Sequence, residues 1–137
     1  MSAAAAPIAP GLFVEDGDGP RLLLGRCAAC ARHHFPAADG CPWCGAERID
    51  VVPGGAAGTL WLWTIVAAPP PGYAGPLPYG FGVVTLDDLR LRVVARLAGV
   101  DGAALAVGRR MRLVAETLPL DASGATARCW AYAPEPA

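Results

Sequence analysis

Four cysteines, at positions 27, 30, 41 and 44, constrain this chain more than any other feature. They form two Cys-x-x-Cys pairs, CAAC and CPWC, with ten residues between them. Each pair can wrap a tight turn, a knuckle, that aims both sulfurs at one centre. Two knuckles make a tetrahedral four-sulfur site, which Zn2+ favours in its closed structural form. Gly45 follows the second knuckle, where the backbone must curl back so that its N–H groups face sulfur. Ala31 stands at the matching place after the first.

The reading of those thiols depends on compartment. No stretch reaches the ~18–20 apolar residues that a membrane span requires. The opening MSAAAAPIAP lacks the basic start and long apolar run of a signal peptide, so residues 1–10 read as a disordered tail. A cytoplasmic chain with reduced thiols is the expectation. Two disulfides conflict with that compartment. A thioredoxin-type redox pair would need only one Cys-x-x-Cys, set in a βαβ pattern that is absent here. Iron in a rubredoxin-like centre would use similar knuckles, and a colourless protein would exclude it. With four thiolate ligands no position stays open for water or substrate, so the metal reads as structural. It replaces a core that a segment of roughly 35 residues cannot build for itself. His33 and His34 read as polar residues at an exposed ribbon tip rather than as ligands. Cys129 reads as a buried packing residue.

Beyond the knuckles the pattern is of strands. Leu22–Leu24 suggest a short strand or helical turn, HHFP at 33–36 a ribbon strand, and RIDVV at 48–52 the last ribbon strand. PGGAAG at 53–58 reads as a flexible hinge. The expected division is a zinc ribbon over 11–53 and a second domain over 54–133. Five runs of β-formers follow: 58–68, 79–86, 89–97, 110–118 and 125–133. In the third, Leu89, Leu91, Val93, Ala95 and Leu97 alternate with Arg90, Arg92 and Arg96. In the fourth, Met111, Leu113 and Ala115 stand opposite Arg110, Arg112 and Glu116. A longer link joins these two runs. The fold class is therefore mainly β, a rubredoxin-like zinc ribbon followed by a five-stranded OB-fold barrel. Another five-stranded barrel, such as an SH3-like one, is the rival.

Three surfaces are candidates for function. The first barrel strand carries Trp61 and Trp63 on one expected face and Leu60, Leu62 and Val66 on the other, and a small barrel buries only one. Trp130 and Tyr132 raise the same question on the last strand. The loop PPPGYAGPLPYG at 69–80 has five prolines and presents Tyr73 and Tyr79; its stiffness suits docking at little entropic cost. Arg90, Arg92 and Arg96, with Arg109, Arg110 and Arg112, could meet phosphate groups or an acidic partner.

The order of GRCAAC, HHFPA, CPWCG, GTLWLWTIV, PLPYGFGVVTL and VGRRMRLV resembles the zinc-ribbon/OB-fold proteins associated with acyl-CoA enzymes. The resemblance covers roughly residues 11–133. It implies an accessory or scaffold subunit of a thiolase-superfamily enzyme, a thiolase, related synthase or thiolase-like aldolase. It also implies a possible share in the acyl-CoA path. The first knuckle departs from the family's usual pattern at Ala31, with the four ligands intact.

Two other functions compete. OB barrels bind single-stranded nucleic acid through basic grooves and stacking aromatics. Here all eleven basic residues are Arg, against twelve carboxylates and a net charge of −1, without the basic surplus such a role usually shows. An enzyme in its own right would need an activated nucleophile with a base. The two histidines instead flank a closed metal site, and no carboxylate pair has a recognisable spacing.

Overall fold

A computed structural model describes residues 5–98, 104–121 and 123–136. Its first sheet is built around one long strand. A two-residue turn at Gly17 and Asp18 joins β1 (Phe13–Asp16) to β2 (Gly19–Cys27), with the Asp18 N–H donated to Asp16 Oδ1. On one side β2 pairs with β1 and with the two-residue β3 (His33–His34); on the other it pairs with β4 (Ile49–Gly54). The Leu-rich segment is thus a full nine-residue strand. Its flanking Gly19, Pro20 and Gly25 hide that length from propensity. Gly25 is required where it stands, because a Cβ there would collide with the imidazole of His34 across the ladder.

The remaining strands are β5 (Ala57–Val66), β6 (Tyr79–Leu86), β7 (Leu91–Leu97), β8 (Arg110–Pro119) and β9 (Thr126–Pro134). They close in the order β5-β6-β7-β9-β8, with β7 and β9 meeting in parallel at Leu97 and Tyr132. This is the OB arrangement that the strand count suggests. In β7 every second residue from Leu91 to Leu97 is buried. The strand begins two residues later than its alternation predicts, since Asp88 and Arg90, both at positive φ, form the turn from β6.

The two sheets share one core. Phe13, Leu22 and Leu24 from the ribbon pack with Leu60, Met111, Leu113 and Tyr132 from the barrel. Tyr132 is fully buried, and its hydroxyl donates to the carbonyl of Gly55 at 2.6 Å. Gly55 lies in the stretch expected to be a flexible hinge. Strand β4 reaches Gly54 and β5 starts at Ala57, so only two residues connect them. Gly55 is buried at φ +77°, and a Cβ there would come within 3.1 Å of Leu22 Cδ1 and 3.2 Å of the Tyr132 hydroxyl. The corner is pinned rather than loose.

Two further expectations need correction. Within the segment expected to be a disordered tail, Ala6 accepts from the Arg128 N–H and Ile8 donates to the Arg128 carbonyl, both at 2.8 Å. Pro7 thereby sits in a parallel bridge beside β9, whose N-terminal half otherwise has an open edge. Residues 1–4 lie outside the described residues. The faces of β5 also differ from simple alternation. A bulge between Leu60 and Leu62 shifts the register, so Leu62 stands across from Val83 and Trp63 across from Gly82. An inserted residue reverses a period-two pattern. Leu60 is buried, while Trp61, Leu62 and Trp63 are all exposed.

Candidate functional site

The two knuckles are near copies of each other. In the first, the Ala31 N–H donates to the Cys27 carbonyl at 2.8 Å; in the second, the Gly45 N–H donates to the Cys41 carbonyl at 2.9 Å. Ala31 adopts φ +64° and Gly45 φ +81°, so alanine takes the left-handed place that glycine fills in the other knuckle. All four sulfurs lie within 4.8 Å of one another, with Cys27–Cys44 and Cys30–Cys41 both at 3.6 Å. A tetrahedral ion with bonds of about 2.3 Å needs sulfurs about 3.8 Å apart. The donor set therefore fits a tetrahedral metal ion, and its four ligands are soft thiols.

Backbone dipoles prepare the thiols for a cation. The N–H groups of Cys30 and Trp43 reach Cys27 Sγ at 3.5 Å and Cys41 Sγ at 3.3 Å. The Cys30 N–H lowers the pKa of Cys27. Burial opposes ionisation of Cys41, but the N–H groups of Cys44 and Trp43 outweigh it and hold the thiol at about 7. Although the Ala46 N–H favours a Cys44 thiolate, the Cys27 thiol and burial push it up to about 11. Without a metal, Cys41 and Cys44 thus ionise far apart. A cation would collapse that difference by drawing off every proton.

His34 is buried, not exposed at a tip; its Nε2 accepts from the Ala38 N–H at 3.1 Å. Burial first, then Arg26 and His34, lowers the pKa of His33. Neither histidine joins the sulfur cluster.

The knuckle CPWC carries a residue that sequence reasoning missed. Trp43 is half exposed, stacks under the Arg32 guanidinium at 3.9 Å, and donates its indole N–H to the His33 carbonyl at 3.0 Å. With Thr85, Arg90, Leu91 and Arg92 it lines a cleft of about 380 Å3 between ribbon and barrel. Arg92 lies over the Trp61 ring at 3.8 Å and reaches Thr85 Oγ1 at 3.4 Å. Aromatic faces and guanidinium groups thus meet from both sheets. An aromatic inside a Cys-x-x-Cys turn points away from the metal, which is the signal that could have found Trp43.

The other predicted residues go elsewhere. Tyr73 and Tyr79 stack with centroids 4.9 Å apart, and Arg96 sits 4.6 Å from the Tyr79 ring. Arg96 donates to the Tyr73 hydroxyl at 3.3 Å and to Glu116 at 3.2 Å, while Tyr73 donates to the Pro76 carbonyl at 2.8 Å. The tyrosines therefore lock the Pro-rich loop onto the barrel. Arg110 is bound by both oxygens of Asp87, at 2.8 and 2.6 Å, and by Thr59. Arg109 donates to the Glu135 carbonyl. Arg112 is exposed beside Val114, Ala133 and Pro134, and takes no part in the cleft. Trp130 packs against Phe13 and Phe35, and Tyr132 is core, so neither offers a free aromatic face.

Comparison with known proteins places this geometry. Residues 15–50 match the family model for the ChsH2 rubredoxin-like zinc ribbon domain, and residues 51–116 match the one for the ChsH2 C-terminal OB-fold domain. The chain belongs to the ChsH2 (DUF35) family. The benzoylsuccinyl-CoA thiolase subunit BbsA of Thauera aromatica is 36% identical over 88 residues, 64% of this chain. This chain spans 58% of that subunit's length. A DUF35 domain-containing scaffold protein of Pyrococcus furiosus is 31% identical over 94 residues, 69% of this chain and 68% of that protein. The solved Ltp2-ChsH2(DUF35) aldolase superposes with a TM-score of 0.62 at 27% identity, covering 83% of this chain and 84% of that one.

Proposed function

We propose that this protein is a non-catalytic accessory subunit that holds a thiolase-type enzyme and helps to shape its acyl-CoA site. The observation that carries this reading is the cleft where Trp43 of the ribbon meets Arg90 and Arg92 of the barrel. Guanidinium groups suit the phosphates of CoA, and aromatic faces suit its adenine. The relatives' own names, a thiolase subunit, a scaffold protein and an aldolase assembly, support the partner class. The metal is zinc, held by Cys27, Cys30, Cys41 and Cys44, and it is structural: it fixes the knuckle that carries Trp43.

The described residues favour a binding role over chemistry. His34 is committed to the Ala38 amide, and burial raises the pKa of the Cys129 thiol. A nucleic-acid track would need a run of free cations. Instead Arg96, Arg110 and Arg128 each hold a carboxylate, on Glu116, Asp87 and Glu15. The test is co-expression with thiolase-type subunits of the source organism. A stable complex with one zinc per copy of this chain is expected, in which Arg92→Ala raises the KM for acyl-CoA and leaves kcat nearly unchanged. Separate elution at micromolar concentration, or retention on single-stranded DNA that is lost with salt, would defeat the reading.

A further inference from the structure

From Val51 to Leu86 the chain has thirty-six consecutive residues without one Asp, Glu, Lys, Arg or His, although 17% of the whole chain is charged. The span covers β5, the Pro-rich loop and β6. Much of it is on the surface. The bulge in β5 puts Leu62 beside Val83, which pairs in turn with Val94. Leu62 is 50% exposed, Val94 55% and Phe81 40%. A row of apolar side chains therefore crosses three strands on the outer face, and Leu62, Trp63, Phe81 and Val83 border an open groove beside it.

The same arm has an open edge. Strand β8 pairs with β5 only at Ala57–Thr59, and the loop before β8 satisfies Leu60 through Gly108 and Arg109. Among the described residues, Leu62–Val66 pairs with β6 alone. Proteins usually blunt such edges with charge, proline or a covering segment. Here β1 carries Glu15 and Asp16, β4 carries Asp50 and Pro53, and Ala6–Ile8 covers β9. The β5 edge, Leu-Trp-Thr-Ile-Val, has none of these.

We propose that this arm is the docking element for the enzyme subunit, which adds an extended segment to the Leu62–Val66 edge and rests uncharged side chains on Leu62, Phe81 and Val83. The proposal rests on the accessory-subunit reading above. Strand addition takes its affinity from main-chain hydrogen bonds and its selectivity from side chains at alternate positions. The absence of charge selects an occupant equally free of it, because a charge buried there would stay unpaired. A second copy of this chain fits poorly. It would bring only the same five-residue segment, Leu62–Val66, already backed by its own β6, whereas a segment of the enzyme can run on from the edge across Leu62, Phe81 and Val83 toward the roughly 1,200 Å2 of a stable interface.

The experiment uses the full chain co-expressed with its thiolase-type subunit. Two lysines are placed on the exposed edge, Leu62→Lys with Thr64→Lys, and a control lysine on the ribbon, Val51→Lys. Circular dichroism verifies that each variant is folded. Hydrogen exchange follows the amides of residues 61–66 with and without the enzyme subunit. The expected result is slowed exchange at 61–66 in the complex, affinity weakened on the order of 100-fold by the double variant, and little change with Val51→Lys. A wild-type complex in which 61–66 exchange freely and the double variant binds normally overturns the docking site and leaves the accessory role standing. Failure of the wild-type pair to associate overturns both. Slowed exchange at 61–66 in a homodimer, without the enzyme subunit, overturns the choice of occupant.

Discussion

The ribbon and the barrel solve the same problem by different means. In barrel strand β7 alternate residues are buried, so the sequence pattern is itself the packing plan. Ribbon strand β4 has no buried residue at all. The ribbon's buried apolar residues, Phe13, Leu22 and Leu24, belong to one cluster with the core of the barrel. The far end of the ribbon is held by the four thiols. The ribbon thus has a four-thiol site fit for a metal at one end and the barrel's core at the other. Hydrophobic burial scales with the area available, and a small sheet with one open face lacks it.

The largest test of this contrast is metal removal. From sequence alone the ribbon should unfold first and leave the barrel standing. The shared core predicts otherwise: a strong chelator in mild denaturant should produce one cooperative loss, since melting the ribbon uncovers Met111, Leu113 and Tyr132. Structural zinc is worth ~10–16 kcal/mol of binding, as much as a typical domain's whole stability of about 5–15 kcal/mol. Tryptophan fluorescence and far-UV circular dichroism should then report coincident transitions; two separated ones would restore an independent barrel. Next in size is Leu24→Ala. This fully buried ribbon residue should cost about 2–5 kcal/mol in denaturant melts, as a barrel core residue would. A cost below about 1 kcal/mol would mean the ribbon contributes little to the common core.

Ala31→Gly sharpens the comparison within the ribbon. Relieving a left-handed alanine gains roughly 1–2 kcal/mol and glycine's freedom in the unfolded chain returns about 0.4–1 kcal/mol, so the thermal midpoint should rise by the equivalent of about 0.5–1 kcal/mol; an unchanged or lower midpoint would mean that Ala31 is not strained. The smallest effect concerns the ion pair between the sheets. Arg128 holds the Glu15 carboxylate at 2.6 Å and lowers its pKa below the usual 4.5. A depressed carboxylate stabilises the fold above its ordinary value, and that contribution fades as pH falls through the folded one. Both groups are partly exposed, so only a few tenths of a kcal/mol are at stake. Melts from pH 6 to pH 3 should show this increment in the native chain and not in Glu15→Gln.

The comparison also explains what the sequence made legible. The sulfur cluster was readable because ligand chemistry fixes the spacing of Cys27, Cys30, Cys41 and Cys44. Strand β6 was readable residue for residue, since its β-formers are bounded by proline and by two aspartates. The faces of β5 were not, because the bulge at Leu60–Leu62, just past the end of its pairing with β8, leaves no mark in a period-two reading of its residues. Likewise, nothing in local propensity shows that Tyr132 anchors Gly55, seventy-seven residues away. The expected Arg rows dispersed for a similar reason: carboxylates from other strands and segments claimed Arg96 and Arg110.

The uncharged run from Val51 to Leu86 also shapes how free chains meet one another. Like-charge repulsion keeps protein molecules apart, and here it acts from charges that lie before Val51 and after Leu86 in the chain. Two unassembled chains therefore approach most easily arm to arm. The protein is, in colloidal terms, a patchy particle, and its solubility depends on the orientation of collisions more than on its small net charge.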